Sequence, residues 1–281
     1  IATTLVNLPW DQTSFIVMQK MNSGVESFSL LAVPLFILAG NIMNNGGIAI
    51  RLVNCARLIS GRLPGSLAQT NIVANMLFGA ISGSGTAAAA AIGGTMAPIE
   101  LEEGYDKDYV AAVNIASAPT GQLIPPSNTL IVYATVAGSV SVAALFMAGY
   151  IPGIAWGISL MFIAGYMAKK RGYVSTFSVT PKEALKVLWD ALPSLLLIII
   201  VIGGILKGVF TATEGSAIAV VYALILSLCY RSLKIKDLPS IILSSCKTTC
   251  IVIFMIGVSS IMSWVMAYTM IPTAIANAML S

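Results

Sequence analysis

Two stretches of this sequence combine polar oxygens with interrupted backbone inside long uncharged runs. The first is "GAISGSGTAAAAAIGG" at 79–94. Ser82, Ser84 and Thr86 offer hydroxyl oxygens there, and Gly83 and Gly85 leave backbone carbonyls uncovered. The second is "SAPTGQLIPPSNTL" at 117–130, with Pro119, Gly121, Pro125 and Pro126 inside an apolar segment. Pro125 and Pro126 have no N–H, so carbonyls about four residues upstream, near Gly121 and Gln122, lose their helical partners. Ser127 and Asn128 stand where a helix N-cap is expected. The N–H groups of a helix restarting there suit an anion. Hydroxyls plus carbonyls around Gly83, Gly85 and Pro119–Gly121 can form an oxygen cage. Na+, a hard cation, is expected to take such oxygens, as other hard cations do. Neither stretch holds a carboxylate, which argues against a multivalent metal. The expected site for Na+ and solute therefore comprises Ser82, Gly83, Ser84, Gly85 and Thr86 at one break. At the other it comprises Pro119, Thr120, Gly121, Pro125, Pro126, Ser127 and Asn128.

Other chemistries fit less well. "ISGS" at 81–84 is a partial match to a G-x-S-x-G nucleophile elbow, which would suit an intramembrane serine protease. Position 80 is Ala and the sequence has no His to activate a serine. The four Cys form no C-x-x-C pair and, without His, make a zinc site a poor reading. A net charge of +4, with basic residues scattered over short connections, does not suggest nucleic acid. No G-x-x-x-x-G-K-[ST] loop is present for an ATP-driven pump. A channel, whose re-entrant loops would also show paired interruptions, is the remaining alternative. Lys207 and Glu214 are the ionisable groups nearest apolar segments; Thr213 and Glu214 are carried as possible structural or coupling residues. The acidic turn Glu100–Asp108 reads as a solvated loop.

The elements that must hold these breaks are membrane helices. Only 9% of the 281 residues are charged, against about 25% in a soluble domain. Uncharged runs cover 27–50, 63–99, 109–168 and 248–281. A span takes about 20 apolar residues, so the chain is expected to be an all-α polytopic membrane protein. Expected spans are 29–50, kinked at Pro34, then 109–138 interrupted at 119–128, 144–168, 191–210, 215–230 and 248–270. Residues 1–28 read as the tail of a possible span followed by an amphipathic connector. If the Arg-rich loop 51–62 is cytoplasmic, the connections 100–108, 169–190 and 231–247 fall on the same side, as the positive-inside rule requires. The run 63–99 returns to that side. With Gly79–Thr86 taken as its bend, about 13–16 residues remain per arm, short of a full crossing. It therefore reads as a re-entrant helical hairpin with its tip at mid-depth, where irregular backbone must line a cavity or lie in protein; two short, tilted full spans packed through small residues are the alternative.

These motifs resemble the large membrane subunit of tripartite ATP-independent periplasmic (TRAP) transporters. The matching stretches are "LLAVPLFILAGNIM" (30–43), "GAISGSGTAAAAAIGG" (79–94), "GYDKDYVAAV" (104–113), "IPPSNTLIVYA" (124–134), "AGYIPG" (148–153), "AKKRGY" (168–173) and "TATEGSAIAVVYAL" (211–224), in family order. The resemblance implies a multi-pass protein of the bacterial inner membrane that imports organic anions, such as C4-dicarboxylates or sialic acid, coupled to Na+. It implies an elevator mechanism on an inverted-repeat fold, no organic cofactor, a small membrane (Q) subunit and a periplasmic substrate-binding (P) protein. It divides the chain into scaffold and arm helices (1–62), a transport block of hairpin and broken helix (63–138), a span and connector (139–190) and early helices of a second repeat (191–281). Both ends read as cut, and the family's second hairpin is not in the sequence. Ala212 stands where the family often has proline.

Overall fold

The structure is a computed structural model and describes residues 9–138, 140–173 and 180–280. Every regular element among them is helical. Five stretches are long and apolar enough to cross a membrane: Phe28–Asn45, Val142–Arg171, Pro181–Leu206, Ala212–Cys229 and Ile235–Tyr268. The expected multi-pass helical architecture is therefore present. The span tail at 1–8, part of the turn at 139–143 and residues 174–179 of the loop 169–190 lie outside the described residues.

Helix α1 (Trp10–Val25) is the amphipathic connector, and Gly24 and Met21 on it pack against Ser260 and Gly257. The expected span 29–50 is shorter. After a 3-10 turn at Phe28–Leu31, α2 runs Ala32–Asn45. Pro34 falls in its first turn, where a missing N–H leaves no hydrogen bond unmade. The chain turns at Gly46–Gly47, with Gly47 at φ +72°, and starts α3 (Ile48–Ser60), which carries Arg51 and Arg57.

The run 63–99 forms two helices, α4 (Ser66–Ser82) and α5 (Gly85–Glu102). Their break is Gly83–Ser84, two residues rather than the eight of Gly79–Thr86. Gly83 takes φ +64° as the end of α4, a conformation glycine adopts without a Cβ penalty. The Ser84 side chain then caps α5 by accepting from the Ala87 amide at 3.3 Å. Arms of 17 and 18 residues are each about 26 Å long at 1.5 Å per residue. Arms of this length fit a re-entrant hairpin and two crossings alike. Helix α4 sits at the centre of the fold: all its residues but Met76 and Leu77 are buried.

The next segment is broken as expected. It comprises α6 (Lys107–Ser117), the single turn α7 (Thr120–Leu123) and α8 (Asn128–Ala137). Then come α9 (Val142–Arg171), α10 (Pro181–Leu206), α11 (Ala212–Cys229), α12 (Leu238–Tyr268) and α13 (Ile271–Leu280). Helix α10 begins ten residues before the expected span, at 191, because Thr180 and Glu183 form a capping box and Pro181 opens the first turn. Helix α12 likewise starts well before 248, with Pro239 in its first turn.

Residues from three of the four connections expected on one side meet. Arg57, Glu103 and Arg171, from three connections, line one cavity of about 430 Å³ with Ser66, Tyr105 and Tyr173. Arg171 pairs with Asp106. From the same helix α3, Arg51 pairs with Asp190 at 3.2 Å and lies 3.5 Å over the Tyr230 ring.

Candidate functional site

The two breaks predicted from the sequence are one structure. The Asn128 amide, first in α8, donates to the Gly83 carbonyl at the hairpin turn across 3.1 Å. Three glycines make the approach possible. A Cβ on Gly79 would lie 2.0 Å from the Gly121 Cα. One on Gly83 would lie 2.7 Å from the Pro126 oxygen, and one on Gly85 2.9 Å from the Ala118 oxygen. Such separations are closer than non-bonded carbon contacts allow, so no side chain fits at any of the three. The hairpin turn thus lies against the middle of the 107–137 segment, backbone on backbone.

The hydroxyls gather around this junction. Ser82 is fully buried, with Oγ 3.4 Å from both the nitrogen and the oxygen of Ser84. Ser84 Oγ lies 3.0 Å from Thr86 Oγ1, and Thr86 is exposed. Thr120 is buried and donates to the Ser117 carbonyl at 2.6 Å. Ser127 is buried and caps α8 by accepting from the Leu130 amide at 3.3 Å. Its hydroxyl hydrogen goes to the Gln122 carbonyl. That corrects one expectation: the prolines do free the Gln122 carbonyl from the helix, but Ser127 takes it up. Asn128 is the first helical residue rather than the cap, and its Oδ1 is buried with no hydrogen-bond partner. The junction therefore offers an acceptor without a donor, hydroxyls able to turn, and the positive end of α8, where the Asn128, Leu130 and Ile131 amides are already bonded within the protein. That set suits a cation held by oxygens beside an anionic group.

Over its whole length, residues 1–281, the chain matches the family described as the DctM component of tripartite ATP-independent periplasmic transporters. The chain belongs to this TRAP family. It is 52% identical over 271 residues to the uncharacterized protein YgiK of Salmonella typhimurium, covering 96% of this chain and 62% of that one. It is 37% identical over 260 residues to the sialic acid TRAP transporter large permease protein SiaM of Vibrio cholerae, covering 92% and 61%. With the C4-dicarboxylate large permease protein DctM of Rhodobacter capsulatus it shares 34% over 292 residues, covering 99% and 66%. The chain thus spans about six-tenths of the length of these relatives.

Within the TRAP sequence pattern, the "TATEG" pair plays a structural part. Thr211 and Glu214 form a capping box at the start of α11: the Glu214 carboxylate accepts the Thr211 amide and hydroxyl, each at 2.8 Å. Glu214 itself is exposed. Thr213 is buried and donates to the Phe28 carbonyl at 3.2 Å, tying α11 to the entry of α2. Neither residue bonds to the junction. Lys207 ends α10 and is exposed.

One group escaped the sequence reading. Glu100, assigned there to a solvated turn, is fully buried on the last turn of α5, while Glu102 and Glu103 beside it are exposed. It faces Asn71 of α4, which joins Asn75, Asn114 and Ser117 in a polar chain inside the hairpin. Asn71 and Asn75, four apart in an uncharged run, place two amides on one helix face, and that spacing was the available signal.

Proposed function

We propose that this chain is the larger part of a membrane subunit that imports organic acid anions by coupling them to Na+. The observation that carries the reading is the Gly83–Asn128 junction, which joins two interrupted helices around buried hydroxyls. Na+ is taken by oxygens of Ser82, Ser84, Thr86 and Asn128 with carbonyls of the two breaks. The anion lies by the positive end of the α8 dipole. Pro119, Gly121, Pro125 and Pro126 keep the backbone open. Relatives named for sialic acid and for C4-dicarboxylates support carboxylated solutes as the substrate class. Transport, not catalysis, is the activity, and no organic cofactor takes part.

The hairpin 66–102 is re-entrant in this reading. Its turn rests midway along the 107–137 segment, which supports a tip at mid-depth. The block 63–138 moves as a unit past 1–62 and the helices after 139, in the manner of an elevator. The close backbone contacts at Gly79, Gly83 and Gly85 support rigid-body motion of that block, since neither break can shift without the other. The 191–281 helices open a second, inverted repeat. A small membrane subunit and a periplasmic binding protein complete the system in the bacterial inner membrane, the binding protein delivering the solute.

Uptake into proteoliposomes containing the full-length protein and its partner subunits tests this. An inward Na+ gradient is expected to drive accumulation of a carboxylated solute. Solute or ion flow down its own gradient, unaffected by Na+, points to a channel instead.

A further inference from the structure

Glu100 lies at the far end of the hairpin from the Na+ site. Fifteen residues of α5 separate it from Gly85, about 22 Å along the helix. None of its side chain is exposed. Among the described residues its one side-chain partner is the Asn71 amide, at 3.4 and 3.5 Å from the two carboxyl oxygens. Both contacts are at the long limit for a hydrogen bond. Among the described residues no Lys or Arg pairs with it; the described ion pairs use Asp190 and Asp106. The titratable groups around it are Tyr105, whose amide donates to the Glu100 carbonyl at 2.9 Å, and Tyr109 of α6. Arg57, Glu103 and Arg171 line the cavity alongside Tyr105. A buried carboxylate so poorly supplied with donors is costly unless a cation joins it.

The polar chain that begins at Glu100 is short of donors along its length. Asn75 Nδ2 lies 2.8 Å from Asn71 Oδ1, 2.9 Å from Ser117 Oγ, 3.1 Å from the Asn71 carbonyl and 3.2 Å from Asn114 Oδ1, with two hydrogens to share among four acceptors. Asn75 Oδ1 is buried and has no partner. Adding one positive charge at Glu100 reverses the chain. A protonated Glu100 donates to Asn71 Oδ1 once that amide turns over, and the Asn75 and Asn114 amides turn with it. Asn71 then donates to Asn75 Oδ1, which also accepts from Ser117 as that hydroxyl leaves the Asn114 carbonyl. Ser117 closes the last turn of α6, and its carbonyl holds the Thr120 hydroxyl across the break.

We propose that Glu100 is a second binding group for a monovalent cation, a proton or Na+. Asn71 and Asn75 report its occupancy to Ser117 at the break between α6 and α7. This site is separate from the hairpin turn and goes beyond the Na+ reading given above.

Infrared difference spectroscopy on the purified full-length protein tests it without any transport assay, so it fails independently of the coupling mechanism. If the cation is a proton, wild type in Na+-free buffer at neutral pH shows the band of a protonated carboxyl that Glu100→Gln lacks. If it is Na+, that band is absent from both. Binding of radioactive sodium, measured with Ser82→Ala and Ser84→Ala already in place, then drops by one ion per chain in Glu100→Gln. Glu100→Asp, which retains the acid, replaces Glu100→Gln should the latter not accumulate, and shifts the band or weakens the sodium binding. No difference from wild type in band or bound sodium overturns the site. The relay is read separately by amide hydrogen exchange over 117–124, corrected for intrinsic rates. Exchange there responds to the cation in wild type and not in Asn75→Leu; an equal response in both overturns the relay.

Discussion

The Asn128 amide donates to the Gly83 carbonyl across 3.1 Å, so the hairpin turn and the restart of the broken helix share one backbone hydrogen bond. Ser84 and Ser127 cap the restarting helices from within each segment, but this backbone pair closes only across the two. The αL turn at Gly83 leaves its carbonyl pointing away from α5, and the first N–H of α8 has no helical partner of its own. Each satisfies the other.

The junction depends on bare backbone at Gly79 and Gly121, and Gly79→Ala forces a Cβ to within 2.0 Å of the Gly121 Cα. Backbone on both sides cannot swing aside as a side chain would. Gly79→Ala is expected to cost about 1–3 kcal/mol, as other overpacked sites do, and to loosen the two breaks together. Thermal unfolding of the detergent-purified protein checks the first. Amide exchange at both 82–86 and 124–130 checks the second; faster exchange at only one of them would contradict the shared closure.

Ser127 has two partners, the Leu130 amide and the Gln122 carbonyl. Ser127→Ala removes both and is expected to cost about 1 kcal/mol, the usual value of a lost N-cap. The double change Pro125→Ala with Pro126→Ala acts in the opposite sense. It returns N–H groups to the Gly121 and Gln122 carbonyls and lets the helix close over the break. Uptake should fall sharply although the protein inserts normally. Normal uptake by that double variant would show that the open backbone has no part in transport.

How much of this was legible in the sequence differs by element. The two breaks were readable because Gly, Ser and Pro interrupt apolar runs that otherwise hold no loop residues. Their extent was not. Gly79 and Gly85 look like turn residues, yet both are helical and serve close contact with Gly121 and Ala118; a sequence does not distinguish the two uses of glycine. Pro34 is a related case: its effect depends on whether it lies in the first turn or later, and the 3-10 turn at Phe28–Leu31 sets that. Glu100 was hidden by its exposed neighbours Glu102 and Glu103. Its burial is decided by Asn71, 29 residues earlier, through packing that no local pattern records.

The depth of the hairpin turn is open to a labelling experiment. Cys229, Cys246 and Cys250 are exposed and must first be replaced, while Cys55 is buried. With Ser84→Cys in that background, a re-entrant tip is expected to react slowly with a membrane-impermeant reagent from the periplasm, and faster in one transport state than in another. Rapid labelling in every state would place residue 84 in open water and exclude a tip held at mid-depth.

The central claim is that Na+ is bound where the two breaks meet. Its most direct measurement is the Na+ dependence of solute uptake in proteoliposomes carrying the full-length protein with its partners, compared between wild type and the Ser82→Ala and Ser84→Ala variants. Removing a hydroxyl ligand should raise the Na+ concentration for half-maximal uptake by about tenfold for each roughly 1.4 kcal/mol of lost coordination, with insertion unchanged. Na+ activation curves in both variants that superimpose on the wild-type curve would contradict the claim.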